Sequence, residues 1–301
     1  MGLATRWLAT SEPLGWELPP SEKHRDLAAG ELDGGEMSIS SFLQAKSRGA
    51  PLVALPIFLK RGLVQRSLFC SAGSPLSSPE QLLGKRVGLV SYTSSMAVWI
   101  RGVLGEGYEV PSSRVHWFTL TASSHDVPLL SIPERFSAET TRAWEELDGY
   151  PHELDRRETF LLTLLDRQEL DVVVSFQARI DCKSRRPLIR EENLWSHPLS
   201  SQIYPINHLF VVKAEAVRAY PTVADSLLSA FREARQAWTA HLHPDDRQIC
   251  DREWEKLGYD PFAYDLGEVE KKTLERFIAY LRGENLIARK LELDELFHFK
   301  D

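Results

Sequence analysis

Hydroxyl side chains cluster at Ser38, Ser40 and Ser41, directly before the apolar residues Phe42 and Leu43. Serine is a preferred residue at a helix start, where its oxygen accepts a hydrogen bond from a backbone N–H group and contributes about 1 kcal/mol. A helix start also carries unpaired N–H groups and the positive end of the helix dipole, so it can bind a carboxylate, sulfonate or phosphate. The three serines therefore indicate either a helix cap alone or a binding site for a small anion.

A second group of hydroxyls, formed by Tyr92, Thr93, Ser94 and Ser95, opens a predicted helix over residues 93–104. Capping one helix needs fewer hydroxyl groups than this run supplies. We therefore predict a second anion-binding site at this junction.

Two further side chains could take part in chemistry. Arg61 follows the apolar run 52–58, and its planar guanidinium suits a carboxylate, which it can bind with two parallel hydrogen bonds. His208 lies in the apolar segment 205–210, and an imidazole can give or take a proton near neutral pH. The alternatives are a surface arginine in a loop and a buried structural histidine.

Other recognisable chemistries have no signature in this sequence. The nucleotide-binding pattern Gly-x-Gly-x-x-Gly, the phosphate loop and the Gly-x-Ser-x-Gly elbow of serine hydrolases are all absent. The three cysteines are widely spaced without a zinc-type pattern, and the pair His241 and His243 alone is a poor metal site. The sequence thus predicts no metal and no cofactor.

The charge balance limits the partners that the chain can have. Its formal net charge is −7, with 43% hydrophobic and 26% charged residues, which is ordinary for one or two globular domains in 301 residues. This balance supplies no basic field, so nucleic acid and membrane surfaces are not expected as partners. Neither a signal-peptide pattern nor an apolar run long enough to span a bilayer is present, so a cytoplasmic location is predicted.

Strand-like and helix-like segments alternate along most of the chain. Compact apolar runs predict strands over residues 52–58, 67–71, 86–90, 115–118, 170–175 and 206–212. Apolar residues at helical spacing predict helices over residues 77–83, 93–104, 157–167, 223–242 and 271–282. Residues 121–142 lack clear periodicity and predict an irregular excursion. The alternation predicts an α/β fold with mainly parallel sheets and ligand sites at strand ends near Ser38, Ser91 and Ser175.

Short segments with a distinctive composition occur in order along the chain. They are Glu36-Met37-Ser38-Ile39-Ser40-Ser41-Phe42, Pro56-Ile57-Phe58-x-x-Arg61, Gly84-Lys85-Arg86-Val87-Gly88, Ala97-Val98-Trp99-Ile100-Arg101-Gly102, Val115-His116-Trp117, Tyr204-Pro205-Ile206-x-His208 and Asp260-Pro261-Phe262-x-Tyr264. Together they resemble the 4,5-dihydroxyphthalate decarboxylase family over roughly residues 30–118 and 170–297. The chain departs from the family pattern at Gln65, where members tend to have His, and at Ser91 and Thr93, where they tend to have Glu and Gln.

The resemblance implies a two-lobed type II periplasmic-binding-protein-like architecture, α/β in each lobe, with a ligand cleft between the lobes. Lobe one would contain residues 1–76 and 202–301, and lobe two would contain residues 77–201. The strand that usually begins the family's first lobe has no counterpart in residues 1–16, so we expect it to be partly missing or rewritten.

The resemblance also implies cofactor-independent decarboxylation of a hydroxylated aromatic acid with one or two carboxylates, such as 4,5-dihydroxyphthalate. His208 would supply a proton, Arg61 would bind the carboxylate that stays, and Tyr92 would orient a phenol. The remaining hydroxyls would contact the small anionic aromatic ligand: Ser38, Ser40, Ser41, Thr93, Ser94 and Ser95. We expect Ser38, Arg61, Tyr92 and His208 to line one pocket.

Two other functions stay open, because the same fold serves binding proteins as well as enzymes. One is a solute-binding protein or sensor for a small organic anion, and the other is a non-catalytic relative.

If a ligand carboxylate pairs with Arg61, removing this side chain should weaken binding roughly ten- to hundredfold and leave the fold intact.

Overall fold

The structure, a computed structural model, describes residues 20–121, 153–175, 184–195 and 197–298. These residues form two compact units. The first unit comprises the described residues up to Gly62, the segment Ser201–Gly283 and the described residues from Ile287 onward. The second unit comprises the described residues of Leu63–Ser200 together with Glu284–Leu286.

Strands and helices alternate through the described chain. The strands are β1 (Gly34–Ser38), β2 (Leu52–Arg61), β3 (Leu68–Ser71), β4 (Arg86–Ser91), β5 (His116–Thr121), β6 (Val172–Val174), β7 (Arg185–Pro187) and β8 (Ile206–Lys213). The helices are α1 (Pro20–Ala29), α2 (Ile39–Ser47), α3 (Ser95–Gly107), α4 (Glu153–Asp166), α5 (Glu191–Leu194), α6 (Ala214–Ala219), α7 (Val223–Ala240), α8 (Pro244–Leu257), α9 (Glu268–Gly283) and α10 (Leu293–Leu296). The α/β class predicted from the sequence is confirmed.

The first unit is built on a three-stranded sheet with the order β1-β8-β2. Strand β8 lies in the centre and is antiparallel to both neighbours, so that His208 has Ser38 of β1 and Lys60 of β2 as its Cα partners. The prediction of mainly parallel sheets is wrong for this unit. Its physical reason is that a strand from much later in the sequence inserts between β1 and β2 and runs in the opposite direction.

Strand β2 anchors the core of the first unit. Leu55, Ile57 and Leu59 pack in one cluster with Val212 of β8 and with Tyr264, and each of these side chains is buried. An apolar run with little alternation is typical of a strand that is covered on both faces. The composition of β2 therefore accounts for its place in the interior.

The second unit contains a mixed five-stranded sheet with the order β5-β4-β6-β3-β7. Strand β4 is parallel to β5 and β6, whereas β3 is antiparallel to β6 and β7. Strand β3 joins this sheet through pairs such as Phe69 with Val173. For this reason the chain leaves the first unit after Gly62 and not after residue 76, the boundary that the sequence predicts.

Helix α4 forms the core of the second unit with the sheet beneath it. Leu161, Leu164 and Leu165 lie at helical spacing and are fully buried in one cluster. Gly88 of β4 allows this close packing, because a Cβ atom there would lie 3.1 Å from Leu161 Cδ2 of the helix and 2.4 Å from Cδ1 of Leu170, which follows the helix. The small residue in the strand and the leucines of the helix are therefore complementary.

Two predictions concern residues that lie outside the described ones. The missing or rewritten first strand concerns residues 1–16, and the irregular excursion lies almost wholly within residues 122–152. Both stay predictions. Within the described ranges, no helix combines the length and the apolar composition needed to cross a bilayer.

Candidate functional site

Strands β1 and β8 bring a histidine and a carboxylate together. Ser38 is the Cα partner of His208 in the neighbouring strand. Glu36 lies two residues before Ser38, so the side chains of Glu36 and Ser38 project from the same face of β1. His208 Nδ1 lies 2.9 Å from Glu36 Oε1. An ionised carboxylate can only accept, so the imidazole donates from Nδ1, and Nε2 is not used by this bond.

Helix α1 adds two side chains to this pair. His24 Nε2 accepts a hydrogen bond from the backbone N–H of Ser38 at 3.2 Å. The His24 ring meets the His208 ring edge-on, with 6.1 Å between the ring centroids. Lys23 Nζ lies 3.6 Å from Glu36 Oε2. Both oxygens of the carboxylate thus face a nitrogen that can carry a positive charge.

Strand β2 contributes Lys60 from the other neighbour of β8. Lys60 is the Cα partner of His208 at a point where the β2–β8 register is irregular. Directly opposite residues in an antiparallel pair present their side chains on the same face. We call the six residues assembled here the His208 cluster: Lys23, His24, Glu36, Ser38, Lys60 and His208.

Burial and charge together set the protonation of Glu36 and His24. Burial alone would raise the pKa of the Glu36 carboxyl, but the hydrogen bond and charge of His208, with the charges of Lys23 and Lys60, lower it to about 2. Burial lowers the pKa of the His24 imidazole to about 3, and the charges of His208 and Lys23 act in the same direction. At neutral pH Glu36 is therefore ionised and His24 is neutral.

We expect the free energy of unfolding to fall as the pH is lowered. His24 has a pKa of about 3 in the folded state against 6.5 for the free side chain, so between these values the unfolded chain binds the proton more strongly. Glu36, with a pKa of about 2 against 4.5, adds a loss of stability from about pH 4.5 down to about pH 2.

Urea unfolding of the wild type and of His24→Gln, each at about pH 7.5 and about pH 5.5, measures this effect because Glu36 barely titrates there. The variant should lose less stability than the wild type between the two values. His241→Gln, at an exposed position, is the control and should behave as the wild type. Equal pH dependence in all three proteins would show that His24 is not the buried neutral group described here.

The serines at the start of α2 act as a helix cap. Ser38 is the N-cap residue, and its Oγ accepts a hydrogen bond from the Ser41 backbone N–H at 3.5 Å. Ser40 is fully buried, and its Oγ accepts a hydrogen bond from Gln44 Nε2 at 3.0 Å. Capping, one of the two interpretations that the sequence offers, accounts for these contacts. Ligand contacts of Ser38, Ser40 and Ser41 stay a prediction.

Arg61 directs its guanidinium into the interior of the first unit. Its Nη1 lies 2.7 Å from Glu270 Oε1 and 2.7 Å from the carbonyl oxygen of Pro261. Its Nη2 lies 3.0 Å from the carbonyl oxygen of Tyr204. The Arg61 side chain is 1% exposed, against 26% for His208. A ligand carboxylate at Arg61 would have to displace these protein partners, and the assigned role of Arg61 stays a prediction.

The buried ion pair also changes the expected consequence of removing Arg61. The expectation that the fold stays intact without Arg61 assumes a side chain outside the core, whereas the structure buries the guanidinium. Glu270 lies on α9 and is itself buried, so it depends on Arg61 for charge compensation.

In the second unit, Ser94 caps helix α3. Its Oγ accepts a hydrogen bond from the Ala97 backbone N–H at 3.3 Å and donates one to the Ser91 carbonyl oxygen at 3.0 Å. Ser95 follows as the first residue of the helix and is buried. The helix start predicted from the hydroxyl run is therefore present. Binding of a ligand by Thr93, Ser94 and Ser95 stays a prediction.

Tyr92 is buried against a cation in the second unit. The Arg101 guanidinium carbon lies 3.7 Å from the centre of the Tyr92 ring, and Arg101 forms an ion pair with Glu284. The Tyr92 hydroxyl lies 3.4 Å from Ser112 Oγ. These contacts give the ring a structural role, and its predicted catalytic role stays a prediction.

Two curated proteins that are similar to this chain carry the same description. A 4,5-dihydroxyphthalate decarboxylase from Comamonas testosteroni is 24% identical over 298 residues, which covers 91% of this chain and 84% of that protein. One from Pseudomonas putida is 31% identical over 88 residues, which covers 29% of this chain and 34% of that protein. This chain resembles 4,5-dihydroxyphthalate decarboxylases. The resemblance predicted from the sequence segments is confirmed, although no family model matches the chain.

Solved structures of binding proteins share the fold. The periplasmic aliphatic sulphonate binding protein SsuA from Escherichia coli superposes with a TM-score of 0.58 at 11% identity, covering 94% of this chain and 80% of that one. The periplasmic sulfonate-binding protein SsuA from Methylobacillus flagellatus KT gives 0.54 at 9% identity, covering 91% and 74%. The likeness concerns the fold, and it confirms the type II periplasmic-binding-protein-like architecture with two lobes.

A groove of about 610 Å³ in the first unit is separate from the His208 cluster. Apolar and charged side chains line it: Glu275, Ile278, Lys290, Leu291, Glu292, Leu293 and Asp294. Carboxylates outnumber lysines there, which opposes the binding of the anionic ligand that the sequence predicts. Among the described residues, no group of three His, Cys, Asp or Glu side chains is arranged to hold a metal ion.

Sequence reasoning finds His208 and Ser38 but misses their partners. Glu36 stands within a segment that carries the resemblance, yet nothing beside it indicates a histidine partner. His24 and Lys23 have no local signal, because α1 meets β1 and β8 only in the folded chain. Lys60 is overlooked because the adjacent Arg61 is the more obvious candidate for binding a carboxylate. The alternation of side chains along a strand, which tends to send adjacent residues to opposite faces, is the signal that could have separated the two.

Proposed function

We propose that this protein removes one carboxylate from a hydroxylated aromatic dicarboxylic acid such as 4,5-dihydroxyphthalate. Similarity to proteins of that description over most of the chain supports the proposal. The observation that carries it is the hydrogen bond from His208 to Glu36. A carboxylate that fixes the tautomer of an imidazole and stabilises its charged form is a common arrangement for proton transfer.

The reaction needs a proton at the ring carbon that bears the departing carboxylate. The hydroxyl para to that carbon supplies electron density, and His208 delivers its Nε2 proton to the carbon. The bond from this carbon to the carboxylate then breaks, and its electron pair returns to the ring as carbon dioxide leaves. The substrate dianion and one proton thus give the monoanion of 3,4-dihydroxybenzoate and carbon dioxide, and solvent returns the proton to His208.

Glu36 acts in this mechanism as a positioning residue. It binds Nδ1 of His208, so the proton that is transferred is carried on Nε2. Its pKa of about 2 keeps the carboxylate charged at every pH at which an imidazole titrates ordinarily. Lys23 holds the second oxygen of the same carboxylate. The pair is therefore oriented from both sides.

Glu36→Gln should lower kcat roughly ten- to hundredfold and change KM less than about threefold, because the amide keeps the shape and removes the charge. Steady-state release of carbon dioxide from 4,5-dihydroxyphthalate measures both constants. Glu31→Gln removes an exposed carboxylate before β1 and should change neither. An unchanged kcat in Glu36→Gln, or a loss confined to KM, would contradict the positioning role.

The proposed activity is tested with a panel of hydroxylated aromatic acids. The purified protein is incubated with each acid while carbon dioxide release is recorded, and thermal unfolding is measured in parallel. Release from 4,5-dihydroxyphthalate above the protein-free rate supports the proposal. A thermal shift without release would identify a binding protein instead.

A binding protein for a small organic anion is the second candidate. The fold likeness to the sulphonate-binding proteins favours it. The His208 cluster would then hold an anion by charge alone, without proton transfer to carbon. The panel experiment separates the two candidates because only the enzyme releases carbon dioxide.

A further inference from the structure

His24 reaches the sheet of the first unit from helix α1, and the proton transfer described above does not use it. Helix α1 packs against β1 and α2. His24 lies three residues before the fully buried Leu27, so both side chains leave α1 on the same face. From this face the His24 ring meets the His208 ring edge-on, with 6.1 Å between the ring centroids. The ring is therefore part of the site without a task in the reaction.

The hydrogen bond from Ser38 fixes the tautomer of His24. Nε2 accepts the backbone N–H of Ser38 at 3.2 Å, so the neutral ring carries its proton on Nδ1. A proton on Nε2 would set two donors against each other and break this contact. Burial, with the charges of His208 and Lys23, lowers the pKa of His24 to about 3. The ring thus stays an acceptor at every pH at which an imidazole titrates ordinarily.

Ser38 connects this acceptor with the histidine and carboxylate of the site. It is the last residue of β1 and the N-cap of α2, and its Cα partner in β8 is His208. Glu36 leaves β1 on the same face two residues earlier, and its Oε1 lies 2.9 Å from His208 Nδ1. The backbone position of Ser38 therefore helps to set the distance between the carboxylate and the imidazole.

We propose that His24 is a positioning residue of the His208 cluster. By accepting the Ser38 N–H, it holds the end of β1 in the register at which Glu36 reaches His208. It does so without placing a second positive charge beside the imidazolium that delivers the proton. His24 acts through Ser38 and Glu36, and its effect on turnover rests on the proposed function.

Packing of the ring is the competing role, and two substitutions separate the two roles. His24→Gln lacks the ring and keeps an acceptor, because the amide oxygen can take the place of Nε2. His24→Phe keeps a ring that can meet His208 edge-on and lacks the acceptor. His241→Phe, at an exposed position, is the control, and circular dichroism checks that each protein is folded. His24→Met, which is similar to glutamine in size and lacks a strong acceptor, replaces His24→Phe if that variant does not fold.

His24→Phe should lower kcat for carbon dioxide release from 4,5-dihydroxyphthalate at least about tenfold, whereas His24→Gln should stay within about threefold of the wild type. KM should change less than about threefold in both variants. Phthalate lacks the para hydroxyl and is not turned over by the route above, so calorimetry with it measures binding separately, and its affinity should also change less than about threefold. His241→Phe should match the wild type. A kcat that is kept in His24→Phe and lost in His24→Gln, or an equal kcat in the two variants, would overturn the proposal.

Nuclear magnetic resonance of the ligand-free protein tests the same role without turnover. Histidine-selective ¹⁵N labelling gives the tautomer of each imidazole, and His24→Gln and His208→Gln assign the signals. We expect the proton of His24 on Nδ1 at about pH 7. The Nδ1 proton of His208, which is bonded to Glu36, should exchange with water at least about tenfold faster in His24→Phe than in the wild type or His24→Gln. A proton on Nε2 of His24, or equal exchange in the two His24 variants, would overturn the proposal.

The two readouts separate this proposal from the proposed function. The expected tautomer and exchange rates, without carbon dioxide release by the wild type, would sink the decarboxylase and keep His24 as the residue that positions His208. Carbon dioxide release by the wild type with an unchanged kcat in His24→Phe would keep the decarboxylase and sink the role of His24.

Discussion

His208→Gln is expected to lower kcat for carbon dioxide release by about 10²- to 10⁴-fold and to change KM little. Glutamine can still donate a hydrogen bond to Glu36, but it has no proton that it can give up near neutral pH. Steady-state assays with 4,5-dihydroxyphthalate measure the two constants, and calorimetry with phthalate measures binding separately. His241→Gln, at an exposed position, should keep full activity.

A loss of binding without a loss of kcat in His208→Gln would show that His208 has a structural role. If His208→Gln lost its affinity for phthalate and kept its kcat, the imidazole would be needed for the shape of the site and not for proton transfer. Retained binding with lost turnover is the pattern that proton delivery requires.

Arg61→Met should lower the free energy of unfolding by about 3–5 kcal/mol, because it leaves the buried Glu270 carboxylate without its cation. Urea unfolding followed by circular dichroism measures the change. Arg48→Met, at an exposed position after α2, is the control and should stay within about 0.5 kcal/mol of the wild type.

A double variant tests whether the loss comes from the unpaired charge. Arg61→Met with Glu270→Leu removes both charges and should recover a large part of the stability that Arg61→Met loses, because no buried ion remains. An unchanged unfolding midpoint in Arg61→Met would mean that the ion pair contributes nothing. A double variant less stable than either single variant would show that packing, and not charge, dominates at this position.

The fold class follows from local patterns in the sequence. Apolar runs such as the one in β2 and the helical spacing of leucines in α4 depend on residues close together in the chain, so periodicity detects them. Strand pairing depends on distant residues. Nothing within β1, β2 or β8 indicates that β8 lies between the other two, and the prediction of mainly parallel sheets is wrong in the first unit for this reason.

The candidate site is less accessible to sequence reasoning than the fold. Arg61 resembles a ligand-binding cation because its partner Glu270 stands 209 residues away and cannot be recognised from the sequence. His208 is an isolated histidine until the register of β1 and β8 places Glu36 beside it. Lys60 is placed opposite His208 only by the irregular pairing of β2 with β8, which the sequence does not reveal.

The most direct test of the central claim follows the carbon atoms of the substrate. 4,5-Dihydroxyphthalate labelled with ¹³C in both carboxylates is incubated in D₂O with the wild type and with His208→Gln, and ¹³C and ¹H spectra are recorded. We predict that the wild type forms equal amounts of labelled bicarbonate and 3,4-dihydroxybenzoate with deuterium at the vacated carbon, and that His208→Gln forms only traces. Unchanged substrate in the presence of a wild-type protein that binds it would contradict the account.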